Sequence, residues 1–172
     1  DLRDSIGYVP QKAVLFSGTI RSNLKYGDES ATDERMERAL KIAQAYEFVS
    51  GLEDGIDSYV SQGGTNFSGG QKQRLSISRA LVKDSKIYMF DDSFSALDFK
   101  TDSKLRAALK ENIKNAIVLI IGQRVTSVMH SDKIIVMDNG RIVGIGTHRE
   151  LLNNCEVYRE IAKSQLSEEE LS

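Results

Sequence analysis

The 172-residue sequence contains one cysteine, one proline, two histidines and no tryptophan. Cys155 has no partner for an internal disulfide and no companions for a metal site, so a reducing compartment is expected. His130 and His148 are far apart in the sequence and have no cysteine beside them, which argues against a zinc-type ligand set; His148 is better suited to a helix start. An excess of charge is also lacking. Twenty-three Lys and Arg stand against 25 Asp and Glu, for a formal charge of −2. That balance argues against a dedicated nucleic-acid binder, although a local basic patch stays open. No apolar run approaches the roughly 18 residues that cross a bilayer, and the first residues carry no signal-peptide pattern. Any membrane role is therefore expected to come through a partner or through further chain. The sequence begins at Asp1 and enters a strand-like run within a few residues, as a piece of a longer protein would.

What is present is an ordinary globular composition, 40% hydrophobic and 28% charged, enough for one domain with a real core. "IGYVPQ" predicts a short strand stopped at Pro10, which places Gln11 at the start of a loop. In "ATDERMERALKIAQAYEFVSGL", Met36, Ala39, Leu40, Ala43 and Tyr46 recur at helical spacing, with Thr32 as N-cap and the charges on a solvated face. No convincing strand of more than a few residues lies between Gln11 and about Gly63, so this part is expected to be mainly helical. "NFSGGQKQRLSISRALVKD" predicts a glycine-rich loop running into a helix whose inner stripe includes Leu75, Ser78 or Arg79, and Leu81 or Val82.

"KIYMFDD" and "AIVLIIGQ" are nearly continuous apolar runs, the pattern of strands buried on both faces of a parallel sheet. The helical "TDSKLRAALKENI" between them implies a crossover in an α/β layer. "KIIVMDNGRIVGIGT" predicts a hairpin turning at Asn139-Gly140. One last helix, "HRELLNNCEVYREIAKSQL", leads to a solvated acidic tail, "SEEELS".

Two stretches carry chemistry. A Ser-Gly-Gly at a helix start, Ser68 to Gly70, offers unpaired N–H groups and the positive end of a helix dipole without a Cβ in the way, which suits a phosphate. Gly-Gly before a helix can also be only a turn. The second stretch is the strand ending in Asp91-Asp92, followed by "SFSALD". Strands often end in Asp because it caps turns and the next helix, so this feature alone leaves both readings open.

Together, "NFSGGQKQRLSISRAL" and "IYMFDDSFSALD" resemble the signature and Walker B motifs of ATP-binding cassette (ABC) ATPase domains. "YVPQKAVLFSGTIRSNL" resembles the family's Q-loop region, "SALD" its D-loop, and "GRIVGIGTHRELL" the closing hairpin and helix of exporter-type members. The motifs occur in the family's order across essentially the whole chain.

The resemblance implies a P-loop NTPase-like α/β fold with a parallel sheet core, an inserted mainly helical subdomain, and a C-terminal hairpin plus helix. It divides the chain into 1–17 (Q-loop region), 18–85 (helical subdomain with the signature), 86–148 (Walker B strand, D-loop, switch strand and hairpin) and 149–172 (C-terminal helix and tail). It implies ATP and Mg²⁺ as cofactors. Gln11 would sense Mg²⁺ and the γ-phosphate, and Asp91 would hold Mg²⁺ through water. Ser68, Gly69, Gly70 and Gln71 would cap the ATP of an opposing subunit, and Asp98 would cross the dimer interface. The implied partners are a second ATPase domain and a transmembrane domain, at the cytoplasmic face of the plasma membrane. In exporters the neighbourhood of Leu15 and Phe16 meets the membrane part, although such residues are as readily core.

Two positions depart from the family pattern. Asp92 stands where the catalytic glutamate is usual, and Gln123 where the switch histidine is usual. Aspartate is one methylene short of the attacking water, and a misplaced base forfeits much of the roughly 10²–10⁴-fold that general-base catalysis supplies. Glutamine still hydrogen-bonds phosphate but carries no imidazolium charge. The chain thus resembles the degenerate-site subunit of a heterodimeric multidrug exporter. No G-x-x-x-x-G-K-[ST] loop occurs in it, and the resemblance places that loop upstream of Gln11. The piece alone is therefore expected to bind ATP poorly, to hydrolyse almost none, and to be either a compromised monomer or a non-native dimer joined through an exposed sheet edge. Two alternatives stand beside the exporter: a non-hydrolysing module that dimerises on ATP, and a soluble cassette protein of translation or DNA repair.

Overall fold

A computed structural model describes residues 2–167. The acidic tail from residue 168 onward lies outside the described residues. The chain divides into two compact units, 1–119 and 120–172.

The first unit is built on a sheet of order β1-β4-β5. Strand β1 (Ile6–Val9) ends at Pro10 as expected, and pairs in parallel with β4 (Ile87–Asp91), with Gly7 opposite Tyr88 and Val9 opposite Phe90. Gly7 is required there, because a Cβ would lie 2.8 Å from the Tyr88 ring. Between β1 and β4 run α1 (Ile20–Lys25), α2 (Asp33–Ile42), α3 (Tyr46–Ser50) and α4 (Gly69–Val82), with only the two-residue strands β2 (Gly18–Thr19) and β3 (Tyr59–Val60). The mainly helical insertion is therefore present. Its core includes Leu15, Ile20, Leu24, Met36, Leu75 and Ile77, none more than 1% exposed. Helix α5 (Phe99–Asn112) then leads to β5 (Ile117–Ile121).

Several expectations need correction. The single helix over 32–52 is two. Gln44 adopts φ 57°, a left-handed backbone that no helix continues through, and the Gln44 carbonyl accepts the Arg74 guanidinium at 2.7 Å. Thr32 does cap α2, with Met36, Ala39, Leu40 and Ala43 buried, but Tyr46 starts the next helix and is 37% exposed. The face of α2 is not wholly solvated either, since Arg35 donates to the Val82 carbonyl and pairs with Asp28.

Second, the α4 stripe widens to nearly the whole circumference over Leu75–Ser78 and Ala80–Val82, because α1, α2 and β1 all pack on this helix. Third, β4 is half-buried, its side chains alternating, and β5 is an edge strand with Ile117 60% and Leu119 42% exposed. A continuous apolar run signals a strand built to be covered on both faces, and among the described residues β5 has no such cover.

The second unit holds α6 (Val125–Val128), the hairpin β6 (Ile134–Asp138) to β7 (Arg141–Gly146), α7 (His148–Asn154) and α8 (Glu156–Gln165). The hairpin turns as expected, with Asn139 at φ 47° and Gly140 at φ 75°. The expected single last helix is broken at Cys155, which is extended (φ −125°) and buried with Val136, Leu151, Tyr158 and Ala162. His148 opens α7, with Thr147 as its cap, and its Nδ1 lies 2.7 Å from the Tyr158 hydroxyl.

Candidate functional site

The chemistry-bearing residues of the first unit gather where β1 and β4 end. Asp91 is the last residue of β4, and Asp92 begins the following turn at φ 44°. Asparagine and aspartate tolerate that left-handed geometry better than longer side chains do. The buried Ser93 hydroxyl donates to the Val9 carbonyl at 3.0 Å and so ties the two strand ends together. The Ser95 hydroxyl donates to the Asp92 carbonyl at 2.9 Å and fixes the turn.

Each carboxylate receives a donor from the β1 side. The Gln11 amide donates to Asp92 Oδ2 at 3.3 Å, joining two residues that sequence reasoning had singled out separately. The Tyr8 hydroxyl donates to Asp91 Oδ2 at 3.0 Å, and this bond, with the neighbouring charge, raises the phenol above its usual range. Sequence reading passed over Tyr8. Its signal was available only through the parallel register, in which Tyr8 lies opposite Met89 and hence on the same sheet face as Asp91, two residues on.

The glycine-rich loop is a capped helix start. Ser68 and Gln71 form a reciprocal box: the Ser68 hydroxyl accepts from Gln71 N–H, and the Gln71 side-chain oxygen accepts from Ser68 N–H at 2.9 Å. Because the Ser68 oxygen acts as acceptor, its own proton remains free to be donated. The N–H groups of Gly69 and Gly70 fall among those that no helix satisfies internally. A Cβ at Gly69 would meet nothing within 4 Å, so the approach to them is open.

The preceding loop is held by Asn66, whose amide donates to the Tyr59 carbonyl at 2.8 Å and whose oxygen accepts from Ser61 N–H at 3.1 Å. Behind the loop, Arg74 packs on the Phe48 ring at 4.8 Å and donates to the Gly70 carbonyl at 3.4 Å. Burial pushes its guanidinium below its usual range, and Asp98 partly offsets this. Arg74 is a second residue that sequence reasoning missed.

Gly70 brings this loop against the turn after β4, since a Cβ there would lie 3.5 Å from the Ala96 carbonyl. Asp98 ends that turn and caps α5, accepting from Thr101 N–H at 3.0 Å and from the Thr101 hydroxyl at 2.7 Å; together they hold its carboxyl below the usual range. Gln123 belongs to the second unit. It is exposed, and its carbonyl accepts the Gln165 amide at 3.0 Å.

Following Gln11, the buried Asn23 amide clamps Phe16 by both its N–H (2.9 Å) and its carbonyl (2.8 Å). Leu15 thereby turns into the core, while Phe16 stays 46% exposed against Tyr26, with ring centroids 4.6 Å apart.

The donor set fits a nucleotide and its magnesium. Asp91 and Gln11 offer hard oxygens at the strand ends, and among the described residues no three acidic, His or Cys side chains cluster to hold a metal by themselves. That suits Mg²⁺, which takes one or two protein ligands and completes its shell with water and phosphate. Cavities of about 460 and 440 Å³ lie elsewhere, both bordered by Arg38 and Asn112, and neither touches these residues.

Comparison with known proteins accords with this geometry. Residues 1–95 match the sequence family described as ABC transporter. An ABC transporter ATP-binding protein of Mycobacterium tuberculosis (strain ATCC 25618 / H37Rv) is 48% identical over 95% of this chain and 28% of its own length. The Bacillus subtilis (strain 168) ABC transporter ATP-binding protein YfiB is 44% identical over 98% of this chain and 29% of its own. A bacterial Atm1-family ABC exporter solved with ATP bound superposes with a TM-score of 0.92 at 35% identity, covering 97% of this chain and 29% of that one. This chain thus spans somewhat over a quarter of the length of such relatives. With the strand-end carboxylates, the capped Gly-Gly helix start and these likenesses in agreement, the chain belongs to the ABC transporter family.

Proposed function

We propose that this chain is the C-terminal part of the ATP-binding domain of an exporter, at the cytoplasmic face of the plasma membrane. In this reading its own hydrolytic site is degenerate, and its Ser68–Gly70 loop completes the site of a different, catalytically complete subunit. The observation that carries the reading is Asp92: a short carboxylate in a left-handed turn, with one oxygen engaged by Gln11, at the position where a general base belongs.

Bound Mg²⁺ supplies charge neutralisation at the phosphates. Asp91 and Gln11 would be the residues to hold it, largely through water. Asp92, one methylene shorter than glutamate, would help to organise water without serving as an effective base, and Gln123 would offer a neutral hydrogen bond in place of a charged one. The Ser68 hydroxyl and the N–H groups of Gly69 and Gly70 present donors and a helix dipole to the partner's ATP, and Gln71 keeps the loop in shape. Phosphoryl transfer depends mainly on positioning and electrostatic stabilisation, so a clamp given in trans governs the partner's rate. Asp98 and the turn before it sit at the interface, and exposed Phe16 meets the transmembrane part, a contact supported by its clamped backbone and outward ring.

The relatives lend this reading its context. One is a Rickettsia typhi protein whose name joins export ATP-binding and permease functions, 41% identical over 97% of this chain.

The test is steady-state ATPase activity of the full-length protein, alone and with its partner subunit. Near silence alone, with brisk turnover on mixing that Gly70→Asp in this chain abolishes, is the expected result. Brisk turnover by the full-length protein alone would overturn the asymmetric reading. If Gly70→Asp alters assembly while turnover stays unchanged, the chain is a dimerisation module and not a trans clamp.

A further inference from the structure

Strand β1 and the residues after it deliver one donor to each strand-end carboxylate: Tyr8 to Asp91 at 3.0 Å and Gln11 to Asp92 at 3.3 Å. The second contact lies within the machinery already assigned. The first does not. We propose that Tyr8 is a positioning residue for Asp91, fixing the orientation in which that carboxylate receives the hydrated Mg²⁺. The proposal rests on the assignment of Asp91 to the metal made above.

Tyr8 lies opposite Met89 across a parallel pair, so Tyr8 and Asp91 share a face and are offset by two residues. Two residues of strand rise about 6–7 Å, a diagonal that only a long side chain spans. The phenol covers it and places its hydroxyl on Oδ2. The ring is 51% exposed, so burial does not force this bond, and water could satisfy the hydroxyl equally well.

What the bond does is hold a carboxylate that would otherwise turn freely at a strand end. With Asp91 Oδ2 engaged by a donor, Oδ1 would be the oxygen left for the metal's water. Groups that orient a metal's ligands in this way typically contribute 10–100-fold in metal affinity. The Ser93 hydroxyl adds a contact to the Asp91 carbonyl at 3.2 Å, which fixes the backbone but leaves the side-chain torsion to Tyr8.

The experiment compares Tyr8→Phe with Asp91→Asn in the full-length protein. Mn²⁺ replaces Mg²⁺ as a spin-visible probe, and its affinity is measured in the presence of a non-hydrolysable ATP analogue. Analogue affinity is measured separately in EDTA. Phenylalanine keeps the ring and its packing, so the fold should be retained, and the thermal midpoint checks this. The expected result is a loss of about 10-fold in Mn²⁺ affinity for Tyr8→Phe, with metal-free analogue affinity unchanged.

Three outcomes would count against the proposal, each separately. Mn²⁺ affinity unchanged in Tyr8→Phe but lost in Asp91→Asn overturns the role of Tyr8 and leaves the metal assignment standing. Mn²⁺ affinity unchanged in Asp91→Asn overturns the metal assignment itself. Equal losses for metal and metal-free nucleotide in Tyr8→Phe would mean a structural role, and the proposal would fall.

Discussion

The loop that opens α4 and the loop that closes β4 touch where Gly70 meets the Ala96 carbonyl, yet they ask different things of the sequence. In the proposed function the first would work through backbone N–H groups, so it needs only a capped start, two residues without Cβ atoms and a hydroxyl. All of these are present in Ser68, Gly69, Gly70 and Gln71. The second works through the reach of side chains, so one methylene decides between a base and a bystander. Backbone-built function survives as long as the fold does, whereas side-chain-built function is lost by a single shortening that leaves the fold untouched. The proposed asymmetry, in which one chain keeps its clamp and loses its base, is the kind of divergence that difference permits.

The sharpest way to break the comparison is to spoil the clamp alone. Gly70→Asp puts a carboxylate where an anion is to bind and beside the Ala96 carbonyl, while an acidic residue in the first helical turn favours the helix itself. The fold should therefore persist while turnover in the partner's site falls to background, read as ATPase activity of the assembled pair with a thermal midpoint as control.

The converse is to restore the base. Asp92→Glu with Gln123→His should raise single-turnover hydrolysis in this chain's own site by about 10²-fold or more, with the partner's site silenced by mutation. The longer side chain must occupy φ 44°, so the variant should also be slightly less stable. No gain in rate would mean that the deficit lies elsewhere than at these two positions.

A smaller effect tests the scaffold behind both loops. At Gly27 a Cβ would lie 2.0 Å from the Arg79 carbonyl of α4, an atom that cannot move without unseating the helix. Gly27→Ala should cost about 1–3 kcal/mol in unfolding free energy, measured by denaturant titration. Clamp activity should fall only to the extent that α4 is displaced.

The elements whose signals are local were legible in the sequence. Pro10 ended β1, Thr32 capped α2, Asn139-Gly140 turned the hairpin, and the Gly-Gly pair opened α4. What sequence could not show were outcomes decided by tertiary partners. The break at Gln44 lies in a run that is helical by every local measure, and it is stabilised by a guanidinium thirty residues away. The break at Cys155 similarly serves the packing of Leu151 and Tyr158 rather than any local stop signal. Apolar content alone marked β5 as buried, although burial depends on what stands beside a strand. In the site, the residue types were visible but the pairings were not: Gln11 with Asp92 and Tyr8 with Asp91 exist only once the parallel register is set.

The gentlest test separates the observed job of Asp98, capping α5, from its proposed one at the interface. Thr101 hydroxyl and N–H hold its carboxyl below the usual range, so its folded pKa is depressed relative to the unfolded chain. A depressed carboxyl contributes its stabilisation fully above the unfolded value and loses it as the pH falls through the folded one. Asparagine accepts the same N–H bond from Thr101 but cannot titrate, so Asp98→Asn should leave α5 capped at every pH. Hydrogen exchange of the α5 amides in the full-length protein should then show the native chain better protected than the variant near neutral pH. The two should converge on acidification below the carboxylate range. If assembly with the partner also weakens in Asp98→Asn at neutral pH, where α5 is still capped, the charge itself is used at the interface. If assembly is unchanged, Asp98 is a helix cap and nothing more.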